Sequence, residues 1–318
     1  MEISRTIYSN AKSEYEISYT PDIVYAHRET RDLKLQLLSP ATPDLPQTQH
    51  DHPLYAQLAK EGKMPPRPKD LRRFPLIVDV PGSGWSGAEG YSHIPKMVQL
   101  AELGFVVASI GYRGTYKDDV RFPAAVQDTK EAIRYLRAHA EMFHIDPEHV
   151  LLLGDSSGGH TVAMAALTGN EERFNIGENL EQSTQVNACV IFYGPNDLLH
   201  LVSDRLAEGK RLRPGEGEFP FEAREIFQED FLKDPEQMLA DASPINYIEK
   251  AEKLPPFLFL QGEEDPIIPM QQGLRFCQKI RDCGGRAEFV KICGAGHGQG
   301  CWTKEAMDII AHFIQAYK

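Results

Sequence analysis

Apolar and polar positions alternate with a period of two along Leu33-Lys34-Leu35-Gln36-Leu37, and more weakly along Glu14–Tyr19. Successive side chains of a half-buried strand point to opposite faces, so the chain opens on two predicted strands. Seven prolines between Pro40 and Pro68 then interrupt any regular pattern, with room for a short helix at Leu54–Lys60. Proline removes an amide donor and fixes φ, and residues 40–73 read as a surface excursion. From Pro75 the pattern changes to short apolar-rich runs of strand length: Leu76–Val80, Phe105–Ile110, Val150–Leu153, Ala188–Phe192, Phe257–Leu260 and Ala287–Ile292. Helical spacing appears between them. Phe122, Ala125, Val126, Thr129, Ala132, Ile133 and Leu136 trace one amphipathic face with Pro123 in its first turn. Ile94–Leu103, Ser157–Leu167, Met270–Cys283 and Thr303–Tyr317 are further predicted helices.

Strands alternating with helices of this length predict an α/β fold, a mainly parallel central sheet flanked by helices, with the first two strands as an antiparallel edge. Residues 203–241 depart from the rhythm. They are rich in charge, Gly and Pro, yet carry Phe219, Phe221, Phe227 and Phe231. Inserted between two strands, they are expected to form a cap over the carboxyl ends of the sheet, where open α/β sheets bind ligands. A length of 318 residues suggests about two domains on size alone, but the excursion and the cap account for the surplus, and one domain over 1–318 is expected.

Composition acts by exclusion. A formal charge of −12, from 34 basic and 46 acidic residues, leaves no basic face for nucleic acid or an anionic membrane. No apolar run reaches the roughly 20 residues of a membrane span. The N-terminus lacks a basic segment followed by an apolar one, and the five cysteines form no Cys-x-x-Cys pair, so reduced thiols and a cytoplasmic location are expected. His50-Asp51-His52 stands in the excursion without further ligands, and His139, His144 and His149 are too widely spaced for one helix face. Neither a metal nor a cofactor is expected.

The main chemical signal is Leu151-Leu152-Leu153-Gly154-Asp155-Ser156-Ser157-Gly158-Gly159-His160, a buried strand running through Gly-x-Ser-x-Gly into a helix. That context is the nucleophile elbow: a sharp turn projects the Ser156 hydroxyl, the two glycines let strand and helix close around it, and the helix N-terminus offers the Ser157 amide to an oxyanion. Ser157 is a competing hydroxyl one residue late. A serine needs a base held by an acid, and in this arrangement both follow it in the chain. Of the four later histidines, His160 falls on the elbow helix, His200 begins the cap and His312 sits in the last helix. His297 lies in Gly294-Ala295-Gly296-His297-Gly298, a loop between the last strand and the last helix, and is the preferred base. Two acids follow buried strands, Asp265 and Asp197; Asp265, after the penultimate strand, is preferred, with Asp197 open. In Pro81-Gly82-Ser83-Gly84-Trp85 the Ser83 and Gly84 amides are placed to complete an oxyanion hole. Trp85, Tyr193, Phe219 and Phe221 are candidate pocket residues, the cap phenylalanines being as well suited to anchoring the cap.

From Pro75 onward the chain resembles the α/β-hydrolase superfamily, and within it the hormone-sensitive-lipase-like and bacterial feruloyl-esterase-like carboxylesterases, a branch that also holds kynurenine formamidases. Gly-Tyr-Arg at 111–113, Arg-Phe-Pro-Ala-Ala at 121–125, Gln-Asp at 127–128, Ile-Asp-Pro at 145–147, Gly-Asp-Ser-Ser-Gly-Gly at 154–159, Ala-Ser-Pro at 242–244, Asp-Pro-Ile-Ile-Pro at 265–269 and Gly-His-Gly at 296–298 carry the resemblance. It implies a Ser156–Asp265–His297 triad with the Ser83, Gly84 and Ser157 amides in the oxyanion hole. The chain departs from the family at Pro81-Gly82-Ser83-Gly84, in place of His-Gly-Gly-Gly, and at Ser157, in place of the commoner alanine. Ser83 thereby brings a hydroxyl expected near the scissile ester. The expected activity is cofactor-free hydrolysis of small acyl esters, acetyl or hydroxycinnamoyl esters of sugars or aryl alcohols. A formamidase or amide hydrolase with the same triad is the alternative, and a non-catalytic ligand receptor a third reading. The expected partner is a small-molecule ester, with homodimerisation left open.

Overall fold

A computed structural model describes residues 15–41, 72–169 and 171–317. Its first two strands, β1 (Glu16–His27) and β2 (Asp32–Ala41), form an antiparallel hairpin. There follow β3 (Phe74–Val80), the two-residue β4 (Ala88–Glu89), α1 (Ile94–Glu102), β5 (Val106–Tyr112), α2 (Ala124–Ala138), β6 (Ile145–Asp155), α3 (Ser157–Leu167) and β7 (Ala188–Phe192). The cap segment holds three seven-residue helices, α4 (Leu201–Ala207), α5 (Phe221–Phe227) and α6 (Pro235–Asp241). The chain then completes β8 (Phe257–Gly262), α7 (Met270–Asp282), β9 (Ala287–Ile292) and α8 (Lys304–Gln315). Strand order across the sheet is β1-β2-β5-β3-β6-β7-β8-β9, with β4 paired to β5. β2 meets β5 antiparallel, and every pairing from β5 and β3 through to β9 is parallel.

Strand alternation builds the two flanking layers. Leu76, Val78 and Val80 face one layer, shared with α2, α3 and α7, while Ile77, Leu151 and Leu153 face the other, shared with α1 and α8. Both faces of the central strands are therefore dry, which is why their sequences read as apolar runs. Among the described residues no helix is long and apolar enough to cross a membrane.

Several elements differ from the sequence expectation, beginning with β1, which runs on to His27 rather than ending at Tyr19. Residues 42–71, with the Leu54–Lys60 helix and His50-Asp51-His52, lie outside the described residues, but Pro40 and Ala41 belong to β2 rather than to an excursion. Pro40 is tolerated because β2 pairs β5 only through Leu35–Leu38, leaving it beyond that ladder. β6 begins at Ile145, not Val150: Ile145 and Asp146 pair with Phe74 and Pro75 before a register shift, and Pro147 masks the continuity. The cap contains helices that periodicity does not reveal, since two turns hold too few repeats to show a stripe. A third apolar cluster ties the cap to the loop after β3, joining Trp85 with Leu201, Ile226, Phe227, Phe231 and Leu239.

Candidate active site

The end of β6 turns abruptly into α3 at Ser156, whose φ of 51° lies in the left-handed region. A non-glycine residue held there stores strain, and it persists only because the surroundings over-determine it. Those surroundings are unusually close. A Cβ on Gly158 would fall 1.9 Å from the Val80 carbonyl oxygen, and one on Gly154 would fall 2.5 Å from that of Gly158. The glycines thus allow the strand, the helix and the loop after β3 to meet around the serine.

The structure brings together Ser156, His297 and Asp265. Ser156 Oγ lies 2.8 Å from His297 Nε2, and His297 Nδ1 lies 2.8 Å from Asp265 Oδ2. Asp265 is fully buried in the turn after β8, where its other oxygen accepts the Ile267 and Ile268 amides at 2.8 and 2.9 Å. Gln261 Nε2 donates to Oδ2 at 2.9 Å. The competing acid is elsewhere: Asp197 is engaged by Arg275 at 2.8 Å and by His200 at 2.9 Å. His160 is buried between Trp85 Nε1, which donates to its Nδ1 at 3.1 Å, and the Ala242 carbonyl, 2.6 Å from Nε2. His312 is exposed on α8.

The loop after β3 differs in detail from the expectation. The Ser83 amide donates to Ser157 Oγ at 2.8 Å, so the serine that replaces alanine occupies one expected oxyanion donor. The Ser83 hydroxyl is engaged within the loop: it lies 3.0 Å from Tyr112 Oη and accepts the Gly87 amide at 3.3 Å. Tyr112 Oη in turn donates to the Pro81 carbonyl at 2.5 Å.

A cavity of about 340 Å³ opens onto this cluster, lined by Ser83, Gly84, Trp85, Ser156, Tyr193 and His297 among others. Phe219 and Phe221 do not join that lining: Phe219 packs edge-on against Phe231, and Phe221 lies under the Arg213 guanidinium. The cap instead presents Arg213, Glu222 and Glu225. Burial pushes the Glu225 carboxyl up, against the opposing charge of Arg213. Sequence reasoning passed over these charged residues, and also Asp79, His93 and Asp155. The available signal was Asp79 itself, an acid inside the apolar run of β3, which must be paired to be buried there.

Residues 64–280, a span containing Ser156 and Asp265, match the BD-FAE family. Among curated proteins the chain is similar to the probable carboxylic ester hydrolase LipM of Mycobacterium tuberculosis, 32% identical over 65% of this chain and 45% of that protein. It is similar also to the esterase LipQ of the same organism, 31% identical over 71% of this chain and 50% of that protein. The chain thus spans about half the length of these relatives. A truncated carbohydrate esterase from gut microbiota shares the fold with a TM-score of 0.72 and 23% identity, over 96% of this chain and 98% of that one. A thermophilic esterase from the Planctomycetes species Thermogutta terrifontis does so with a TM-score of 0.67 and 23% identity, over 96% and 93%. The family match covers more than half of the sequence and agrees with the strand order and the elbow: the chain belongs to the BD-FAE family and has the α/β-hydrolase fold.

Proposed function

We propose that the protein is a serine carboxylic-ester hydrolase acting on small acyl esters through an acyl-enzyme. The observation that carries this reading is the unbroken Ser156–His297–Asp265 hydrogen-bond chain, with both links at 2.8 Å, at the mouth of a cavity. His297 takes the Ser156 proton as Oγ attacks the ester carbonyl, and Asp265 holds the imidazole with Nε2 toward the serine and stabilises the imidazolium that forms. The tetrahedral oxyanion is received by the amides of Gly84 and Ser157, the latter at the N-terminus of α3. The Ser83 amide joins them when the Ser157 hydroxyl rotates away. Each such donor contributes about 2.7–4 kcal/mol of transition-state stabilisation. His297 then gives its proton to the departing alcohol, leaving the acyl group on Ser156. A water that loses its proton to His297 attacks that ester, and the carboxylic acid departs as the proton returns to Oγ.

A cavity of about 340 Å³ lies at the lower end of small-molecule sites, which run from about 300 to 1,000 Å³, and suits acetyl or hydroxycinnamoyl esters of a sugar or aryl alcohol. The test is hydrolysis of p-nitrophenyl acetate. Ser156→Ala and His297→Ala should each lower kcat by at least about 10³-fold; full activity in either variant overturns the mechanism. Parallel assays on methyl ferulate, an acetylated sugar and N-formylkynurenine rank ester against formamide by kcat/KM, and a formamide preference overturns the substrate class.

A further inference from the structure

Behind the elbow lies a second chain of polar contacts that the triad does not use. Asp155, the residue before Ser156, bonds to three separate segments. Its Oδ1 accepts the Gly82 amide of the loop after β3 at 2.5 Å and lies 3.2 Å from His93 Nε2, at the start of α1. Its Oδ2 accepts the Tyr193 hydroxyl at 3.0 Å, just beyond β7. His93 Nδ1 is 2.9 Å from Asp79 Oδ1, and the other Asp79 oxygen accepts Ser109 Oγ at 2.6 Å, so the imidazole is gripped between two carboxylates. Tyr193 Oη also accepts the Trp302 indole N–H at 2.9 Å, and its ring centre lies 4.7 Å from that of His297. A Cβ on Gly82 would fall 2.6 Å from the Asp155 carbonyl oxygen, which shows how tightly the loop is drawn onto the elbow.

We propose that Asp155 is a positioning residue for ester hydrolysis: braced by His93 and Asp79, it sets the oxyanion loop through Gly82 and the imidazole of His297 through Tyr193. The proposal rests on the triad reading above. Among the described residues, one carboxylate touches both the loop that carries the Gly84 donor and the tyrosine packed on His297, and it is covalently next to Ser156. Electrostatics agree with the geometry. Burial pushes His93 down, but the charges and hydrogen bonds of Asp79 and Asp155 outweigh it and bring the imidazole up to about 10. Burial likewise raises the Asp155 carboxyl, and the His93 hydrogen bond and charge together with the Gly82 amide more than reverse it, so the group stays ionised. A fixed anion with donors on three sides positions what surrounds it with little reorganisation.

The test is steady-state turnover of p-nitrophenyl acetate, with active sites counted by fluorophosphonate titration so that misfolded protein does not enter kcat. Tyr193→Phe removes the bond to Asp155 along with the one accepted from Trp302 and should lower kcat on the order of ten-fold; Asp155→Asn should lower it on the order of a hundred-fold, both with KM within about three-fold, because a positioning loss falls on the transition state. The double variant should be no slower than Asp155→Asn, since both changes act through one contact. Wild-type kcat per titrated site in either single variant, an effect confined to KM, or additive losses in the double variant overturns the proposal. Tyr193→Phe carries the test alone should Asp155→Asn fail to fold. Activity surviving in Ser156→Ala would instead strike the triad reading, so the two failures are distinguishable.

Discussion

Asp265 illustrates how much one side chain is asked to do. Fully buried, it accepts four hydrogen bonds, from the Ile267 and Ile268 amides, Gln261 and His297, which fills the acceptor capacity of a carboxylate. Replacing it with asparagine keeps the shape but trades one acceptor for an NH₂ group. That group faces either the two amides or His297 Nδ1, and in the second case forces the imidazole into the tautomer that cannot take the Ser156 proton. Asp265→Asn should therefore lower kcat by about 10⁴-fold with KM nearly unchanged, the signature of a wrong tautomer. Asp197→Asn should change kcat by less than about three-fold, because its oxygens serve Arg275 and His200 rather than the base. Progress curves for p-nitrophenyl acetate decide between them, and an inverted ranking would reassign the acid.

At the level of elements, the β6–α3 elbow is a packing solution before it is a catalytic one. A methyl group on Gly158 meets the Val80 backbone carbonyl at 1.9 Å, and backbone cannot rotate away as a long side chain can. Gly158→Ala should cost about 3 kcal/mol, the upper range for overpacking, lowering the thermal midpoint by several degrees and displacing Ser156 enough to reduce kcat as well. An unchanged midpoint by calorimetry would show that the loop after β3 relaxes freely. This element was legible from sequence because strain and close approach demand glycine at fixed positions. The same holds for β3, β5 and β7, where burial on both faces leaves apolar runs. What was not legible shares a different physics. The seven-residue cap helices owe their order to the cluster around Trp85 and to buried ion pairs such as Arg205 with Glu222 at 2.6 Å, contacts between residues distant in the chain. Asp155 and His93 hid for the same reason, their roles existing only once β3, α1 and β7 converge. The bond from the Ser83 amide to the Ser157 hydroxyl was not legible because the two residues lie 74 positions apart.

Across the whole molecule, the buried basic groups His160, His93 and Lys130 shape how stability follows pH between about 4 and 8.5. Burial pushes His160 down to about 4, from an ordinary 6.5. The unfolded chain then binds the proton more readily, so this contribution is complete above pH 6.5 and is lost as pH falls toward 4. His93 has the opposite sign: brought up to about 10 from 6.5, it stabilises fully below pH 6.5 and the gain is lost as pH rises to 10. Lys130 counteracts it. Burial, with Arg134 nearby, lowers its ammonium from 10.5 to about 7, so its contribution is complete above 10.5 and is lost as pH falls toward 7. One proton each, of opposite slope, should leave the wild-type thermal midpoint almost level between about pH 7 and 8.5, below the range where the buried Cys189, Cys277 and Cys301 thiols, pushed up by burial, begin to lower it, while His160 makes it drop below 6.5. His160→Gln keeps a donor for the Ala242 carbonyl and an acceptor for Trp85 but removes the titration, and should flatten the profile between pH 6.5 and 4.5. Lys130→Met leaves His93 unopposed, and the variant's stability should then fall with a slope approaching about 1.4 kcal/mol per pH unit between about pH 7 and 8.5. Calorimetric or urea unfolding across that range is the measurement, and a Lys130→Met profile as level as the wild type would mean that the Asp79–His93–Asp155 chain does not hold a proton in the folded state.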